Sequence, residues 1–288
     1  MARASDAIAD NVDGDLFVDS SCIDCDLCRQ LAPSTYARTD RHAQSFVAHQ
    51  PANDAEQHRA LLALITCPTS SIGMRRKLDA TAAARAFPIP VEGVDGVLFC
   101  GYASASSYGA SSWLIVRPEG NVLVDSPRHA KMLEDRIAEL GGVATMLLTH
   151  QDDVADHAKW HERFGCERVI HRADVRGETR ACERIVDGDD AIAIADDLLV
   201  IPVPGHTRGS IALLWRDVLF TGDHLWANDR EDGLEAGADV CWYSWDEQLR
   251  SIEKLVAYDV THVLPGHGRP FHAASPGAMR DALRAAAR

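Results

Sequence analysis

Apolar and polar positions change rhythm along this chain. From about residue 97, short apolar runs of strand length alternate with stretches of helical spacing. Runs at 113–117 and 121–125 flank Pro118-Glu119-Gly120 and predict a hairpin. Residues 129–140 carry helical spacing and stop at Gly141-Gly142. A buried-type strand is expected over 143–148 and a helix over 153–164. Strands follow at 168–171, 198–202, 211–215 and 217–221, then a helix over 245–257 and a last strand at 262–265. Hairpins and helices mixed over one region argue for an α/β sandwich in which helices cover packed sheets.

Before residue 75 the texture differs: the segment is cysteine-bearing and acid-rich. An Ala-rich stretch ending at Pro88 and Pro90 separates the two parts and reads as a helical piece or linker. The expected organisation is therefore 1–75, a linker over 76–96, and 97–288. No internal repeat is present, and 288 residues suit two domains.

Charge and composition narrow the function classes. The 43 Asp+Glu against 29 Lys+Arg give a net charge of −14, a field that repels phosphate backbones, so no nucleic-acid partner is expected. The one dense basic cluster, Arg75-Arg76-Lys77, reads as a solvated linker. No run approaches the roughly 18 apolar residues of a membrane span, and the first residues lack the apolar core of a secretory signal. A cytoplasmic protein without a membrane partner is the expectation.

The eight cysteines carry more information. They stand at 22, 25, 28, 67, 100, 166, 182 and 241. A chain of this size needs no disulfide staples, and three cysteines separated by two residues each do not readily pair with one another. Cys22-x-x-Cys25-x-x-Cys28 instead places three thiolates in one loop, as an iron–sulfur cluster requires. In the two-cluster bacterial pattern a fourth Cys precedes a proline. Here that slot is Ala32-Pro33, and Cys67-Pro68 is the remaining Cys-Pro of the segment. The simplest reading is one [4Fe-4S] cluster on Cys22, Cys25, Cys28 and Cys67. Zinc is the rival, although zinc sites usually pair two Cys-x-x-Cys halves. The segment from about 13 to 73, DLFVDSSCIDCDLCRQLAPSTY at its front and ALLALITCPTSSI at its back, resembles the single-cluster bacterial ferredoxins. The resemblance implies a small ferredoxin-like unit that carries one electron. Cys100, Cys166, Cys182 and Cys241 are expected to be buried packing residues.

A second constellation lies at the ends of predicted strands. Thr149-His150 is followed by Asp152, Asp153, Asp156 and His157. Gly205-His206, Gly222-Asp223 and Gly266-His267-Gly268 each close a later apolar run. Imidazole and carboxylate on Gly-containing turns suit zinc, iron or manganese.

The pieces NVLVDS, LLTHQDDVADH, VPGHTRGSIALL, VLFTGDHL and VLPGHG, over about 97–272, resemble the metallo-β-lactamase superfamily. The fold class implied is α+β: a ferredoxin-like domain followed by an αββα metallo-β-lactamase sandwich, with one or two metal ions at one edge of the sheets. Carried over by position, the resemblance makes His150 the first ligand and Asp156-His157 the pair of a second site. His206 and His267 become later ligands, and Asp223 a bridging carboxylate. The family's His-x-His-x-Asp-His is altered here: the run is two residues longer and Asp152 stands at the middle histidine. A carboxylate there favours iron or manganese, and the alternative is a single remaining metal. His161 is a reserve ligand.

Such a site activates water for attack on an ester, thioester or lactone carbonyl, with Asp156 or Asp152 orienting that water. The same ligands also suit an iron oxidoreductase fed by the fused ferredoxin. A degenerate site serving a redox sensor or electron-transfer module is the third reading. A small-molecule substrate is expected, with room for a redox partner protein. The loops at 101–112 and 241–245 are candidate pocket walls.

Overall fold

The computed structural model describes residues 1–39, 41, 43–228 and 230–288. Among them, two large sheets face each other. The first runs in the order Arg184–Val186, Glu167–His171, Thr145–Leu147, Val122–Val124, Trp113–Ile115, Val97–Phe99 and Ile89–Pro90. The second runs Ile192–Ala195, Leu198–Pro202, Ile211–Trp215, Val218–Gly222, His262–Pro265 and Phe271–His272. The expected hairpin is there, with Trp113 opposite Val124 and Ile115 opposite Val122. Short edge strands at both margins, such as Ile192–Ala195 and Phe271–His272, had no sequence expectation.

Strand alternation builds the layers. Along Leu198–Pro202, Val200 joins the core between the sheets while Ile201 joins a second core on the outer side. Leu213 and Ala212, Phe220 and Leu219, and Leu264 and Val263 divide in the same way. Period-two alternation with both faces apolar is what a sheet covered on both sides requires. The outer core is closed by helices Trp245–Leu255 and Pro276–Ala286 through Ile252, Leu255, Met279 and Leu283. On the other sheet, helices Lys131–Glu139 and His157–Phe164 contribute Leu133, Ile137 and Trp160 to the central core. Helices on both outer faces make a four-layer sandwich of mixed α and β content.

The N-terminal segment has its own small core. Strand Leu16–Val18 pairs antiparallel with Ile72–Met74, and Tyr36–Thr39 forms a hairpin with Gln44–Val47. Helix Asp54–Thr66 begins at Asn53, whose side chain accepts from the Glu56 N–H at 3.0 Å, satisfying one of the free donors of the first turn. Ala60 and Ala63 face the small core, whereas Leu61 and Leu62 enter the sandwich core beside Phe87 and Val97. Within 76–96, expected as a linker, Thr81–Ala86 is a helix with Ala83 and Ala84 buried, and Ile89–Pro90 pairs with Val97–Phe99. Apolar contact thus continues from the cysteine segment into the sandwich. No helix among the described residues is long and apolar enough to cross a membrane.

Candidate functional site

Four strand ends deliver polar side chains to one point at the edge of the sandwich. His150 follows Thr145–Leu147, His206 follows Leu198–Pro202, Asp223 follows Val218–Gly222, and His267 follows His262–Pro265. Two groups have ligand atoms within 4.8 Å of one another: His150, Asp152 and His206, and His150, Asp153 and Asp223. Asp223 lies between them, with Oδ2 at 3.7 Å from both His150 Nε2 and His206 Nε2. His267 Nδ1 is 2.8 Å from Asp223 Oδ1 and 3.9 Å from Asp153 Oδ2.

Neighbouring groups fix which ring nitrogen faces the centre. The Thr149 hydroxyl lies 2.9 and 3.0 Å from the two oxygens of buried Asp125, so it donates there and its oxygen accepts from His150 Nδ1–H at 3.0 Å. His150 Nε2 is left with its lone pair inward. His206 Nδ1 donates to the Val240 carbonyl at 2.7 Å, which leaves its Nε2 free in the same sense. This is how metal-binding histidines are ordinarily oriented. Asp174 ties the two loops together by accepting from Gln151 N–H (3.0 Å), Thr207 Oγ1–H (2.6 Å) and Gly209 N–H (2.8 Å). Gly266 keeps the approach open, since a Cβ there meets Asp223 Oδ1 at 2.7 Å and Asp153 Oδ2 at 2.9 Å.

Electrostatics match a cation site. Burial pushes the Asp153 carboxyl well above the ordinary range, and the Asp223 charge adds to this. Burial also favours neutral Asp223, but the His267 and His150 imidazoles outweigh it and hold that carboxyl well below the usual range. His150 is lowered to about 4 by burial, against the pull of Asp223. Burial would lower His267 too, yet Asp223 and Asp153 raise it to about 10. Among the described residues, His150 Nε2, His206 Nε2, His267 Nε2 and both oxygens of Asp153 are buried without a hydrogen-bond partner. Buried ligand atoms left bare are costly unless a cation completes them, and the donor set fits a divalent metal.

Not every expected ligand arrives. Asp156 sits at the start of helix His157–Phe164 with φ +54°, and its oxygens accept from His129 N–H at 2.9 Å and Lys159 Nζ at 2.6 Å. His157 places Nδ1 at 3.2 Å from Arg168, itself paired with Glu183 at 2.7 Å. The helix expected from 153 starts at His157, so Asp156 and His157 belong to its first turn and face other partners. Neither is in the two ligand groups, nor does Asp156 line the cavity above them. Asp152 and Asp153 occupy the positions by the centre instead. Asp153, 1% exposed, was not among the residues expected to bind metal. His161 Nδ1 donates to the Cys166 carbonyl at 2.8 Å and is likewise elsewhere.

The four N-terminal cysteines line a second, enclosed cavity with Val18, Leu27 and Ile72. Backbone N–H groups of Ser45 and Ser71 point at Cys22 Sγ (3.4 Å) and Cys67 Sγ (3.2 Å). Burial pushes the Cys25 and Cys28 thiols up to about 12. Among the described residues, groups of three or more ligand atoms within 4.8 Å lie in the sandwich and include none of these sulfurs. One zinc ion with bonds of about 2.3 Å would need sulfurs closer than that, whereas a larger cluster would not.

The two sites share a wall. Ile23, Asp24, Cys25 and Asp26 line one cavity of about 780 Å³ together with Asp152, His206, Asp223 and His267. Arg269 Nε donates to Asp26 Oδ2 at 2.7 Å, and Gln30 Nε2 donates to the Gly268 carbonyl at 3.1 Å. Gly109, at φ +89°, lets the backbone lie against Cys25, where an added Cβ would come within 2.7 Å of the Cys25 Cβ.

Residues 18–74 match the family described as the 4Fe-4S single cluster domain of Ferredoxin I. The DIM-1 metallo-β-lactamase crystal structure superposes with a TM-score of 0.51 at 15% identity, covering 68% of this chain and 96% of that one. A metallo-β-lactamase from Hirschia baltica gives 0.50 at 16% identity, covering 67% and 96%. The chain is a metallo-β-lactamase-fold protein with a single-cluster ferredoxin segment ahead of the sandwich. A hydroxyacylglutathione hydrolase from Stenotrophomonas maltophilia (strain R551-3) is 34% identical over 120 residues, 40% of this chain and 46% of that protein. The chain thus spans about half the length of the curated relatives it matches. Likeness to the solved metallo-β-lactamase structures rests on fold, at identities where the ligand residues have to be read from this chain's own geometry.

Proposed function

We propose that this protein is a metal-dependent hydrolase of a carbonyl ester or thioester, with a [4Fe-4S] cluster packed against its substrate cavity. The bond between the acyl carbon and its oxygen or sulfur breaks. Water supplies the hydroxyl of the acid and the proton of the released alcohol or thiol. The observation that carries this reading is the convergence of bare, buried His150 Nε2, His206 Nε2 and Asp153 with Asp152 and Asp223, of which Asp152, His206 and Asp223 line an open cavity. His150, Asp152 and His206 would hold one divalent ion; the second group of ligand atoms, His150, Asp153 and Asp223, shares His150 with it, and His267 is hydrogen-bonded to Asp223 beside them. A divalent ion in such a site lowers the pKa of coordinated water towards about 7. Thr149 and the Val240 carbonyl keep each imidazole turned inward, and Arg176 Nη2, 2.5 Å from Asp152 Oδ1, holds that carboxylate in place. The relatives' name, hydroxyacylglutathione hydrolase, supports a thioester as the substrate class.

A second reading has one observation in its favour: Cys25 lines the same cavity as His206 and Asp223. An iron oxidoreductase drawing electrons from the cluster would use that adjacency. Anaerobically purified protein, stripped by a chelator and reloaded with zinc, iron or manganese, separates the two. The hydrolase reading expects thioester cleavage that returns with metal and needs no reductant. Turnover that requires a reductant would favour the oxidoreductase, and hydrolysis unaffected by chelation would refute the metal assignment.

A further inference from the structure

The cavity over the candidate ligands has an apolar rim that water activation does not use. Its volume of about 780 Å³ falls within the range of small-molecule sites, roughly 300–1,000 Å³. Ile23, Tyr108, Val240 and Trp242 line it at relative exposures of 44%, 69%, 36% and 67%. Single exposed apolar side chains are ordinary, but four around one mouth mark a binding surface. They come from three segments: the cysteine loop, the turn at 105–109, and the stretch 240–242 at the end of Ala238–Val240. The rim is therefore complete only when the ferredoxin segment is docked.

The arginines at the same wall are already engaged. Asp24, Asp26, Asp152 and Asp223 line the cavity, and its arginine, Arg176, is engaged by Asp152 at 2.5 Å. Asp24 and Asp26 are in turn held by Arg29, at 2.8 and 2.5 Å. Paired in this way, the arginines do not offer a free fork to a substrate carboxylate.

We propose that the site takes an uncharged ester or thioester with an apolar acyl or aryl group, gripped by Trp242, Tyr108 and Ile23, in preference to an anionic peptide thioester. The inference rests on the hydrolase reading above. Ile23 makes the cluster loop part of substrate recognition: its side chain stands on the cavity wall two residues before Cys25.

Two substrates with the same acyl group test it: S-phenylacetyl-2-mercaptoethanol, which is neutral, and S-phenylacetylglutathione, which is anionic. The metal-loaded holoprotein should prefer the neutral thioester in kcat/KM. Trp242→Ala and Ile23→Asp should each lower kcat/KM for it by about 10–200-fold, mostly through KM. Their effect on the S-acetyl analogue should be much smaller. Cluster absorbance must stay unchanged in Ile23→Asp, and Trp242→Ala provides the arm that leaves the cysteine loop untouched. Binding of a non-hydrolysable neutral benzyl thioether, followed by tryptophan emission, separates this inference from the reaction itself. Binding that depends on Trp242 without any hydrolysis would refute the hydrolase and keep the apolar site. Hydrolysis that favours the glutathione thioester, or that ignores both substitutions, would overturn the apolar site and keep the hydrolase. A Trp242→Ala protein that sediments as a monomer from a dimeric parent would also overturn it, by assigning the rim to self-association.

Discussion

Replacing Thr149 with valine removes one hydroxyl from the middle of a three-residue chain and leaves the volume almost unchanged. In the parent, the hydroxyl donates to Asp125 and its oxygen accepts from His150 Nδ1–H at 3.0 Å. The Thr149 backbone N–H, at 2.8 Å from Asp125 Oδ1, survives the substitution, so the carboxylate keeps one donor. His150 Nδ1–H becomes a buried donor without a partner, which costs about 1–3 kcal/mol of stability. The ring also loses what holds its tautomer. Substitutions of groups that orient metal-binding histidines weaken metal affinity by about 10–100-fold, or roughly 1.4–2.7 kcal/mol. Urea denaturation of the metal-free protein measures the first quantity, and competition with a chromophoric chelator measures the second. Both should fall in Thr149→Val. A loss of stability with unchanged metal affinity would show that Thr149 only packs, and the tautomer argument would fail.

Gly266→Ala should depress metal loading with the circular dichroism spectrum intact, because its Cβ meets Asp223 Oδ1 at 2.7 Å and Asp153 Oδ2 at 2.9 Å; normal loading would contradict the crowding. Cys67→Ser should lose the visible iron–sulfur absorbance and most of the cluster iron. Cys241→Ser, whose parent Sγ donates to the Gly205 carbonyl at 3.1 Å, should keep both. Glu183 is lowered from 4.5 to about 2, chiefly by its hydrogen bond with Arg168. The folded-state value lies below the unfolded one, so its stabilisation is complete above about pH 4.5 and is lost as pH falls towards 2. Glu183→Gln should therefore trail the parent in urea stability at pH 7, and the gap should narrow as pH falls through that interval; a gap as wide at pH 2.5 as at pH 7 would refute the assignment.

The layered sandwich was legible because strand periodicity and helix spacing are local signals. The runs at 113–117 and 121–125 pair as a hairpin, and the helix expected at 245–257 begins beside Ser244, whose side chain accepts from Glu247 N–H. His206, Asp223 and His267 stand out in the sequence by their Gly-containing turns, and the strand ends that carry them converge. The stretch from His150 to His157 was harder. Its two extra residues leave the ligand spacing ambiguous, and only the three-dimensional path places Asp153 inward and turns Asp156 and His157 to Lys159 and Arg168. Asp125 and Asp174 lie far from the ligands in sequence, and no spacing rule points to them. Asp125 offers only a carboxylate at the end of an apolar strand, which many surface residues share, and Asp174 closes the short turn Arg172–Asp174 after Glu167–His171. The shared wall between the cysteine loop and the metal cavity depends on how two parts of the chain pack, and local pattern does not encode that.

Which aspartates bind the metal decides the account most directly. Metal content of the anaerobically purified protein, with sandwich metal counted separately from cluster iron, should be compared for Asp153→Asn and Asp156→Asn. Asp153→Asn is expected to lose sandwich metal and thioester hydrolysis while keeping its cluster, and Asp156→Asn to keep all three. Full metal loading in Asp153→Asn together with its loss in Asp156→Asn would contradict the geometry on which the proposed function stands.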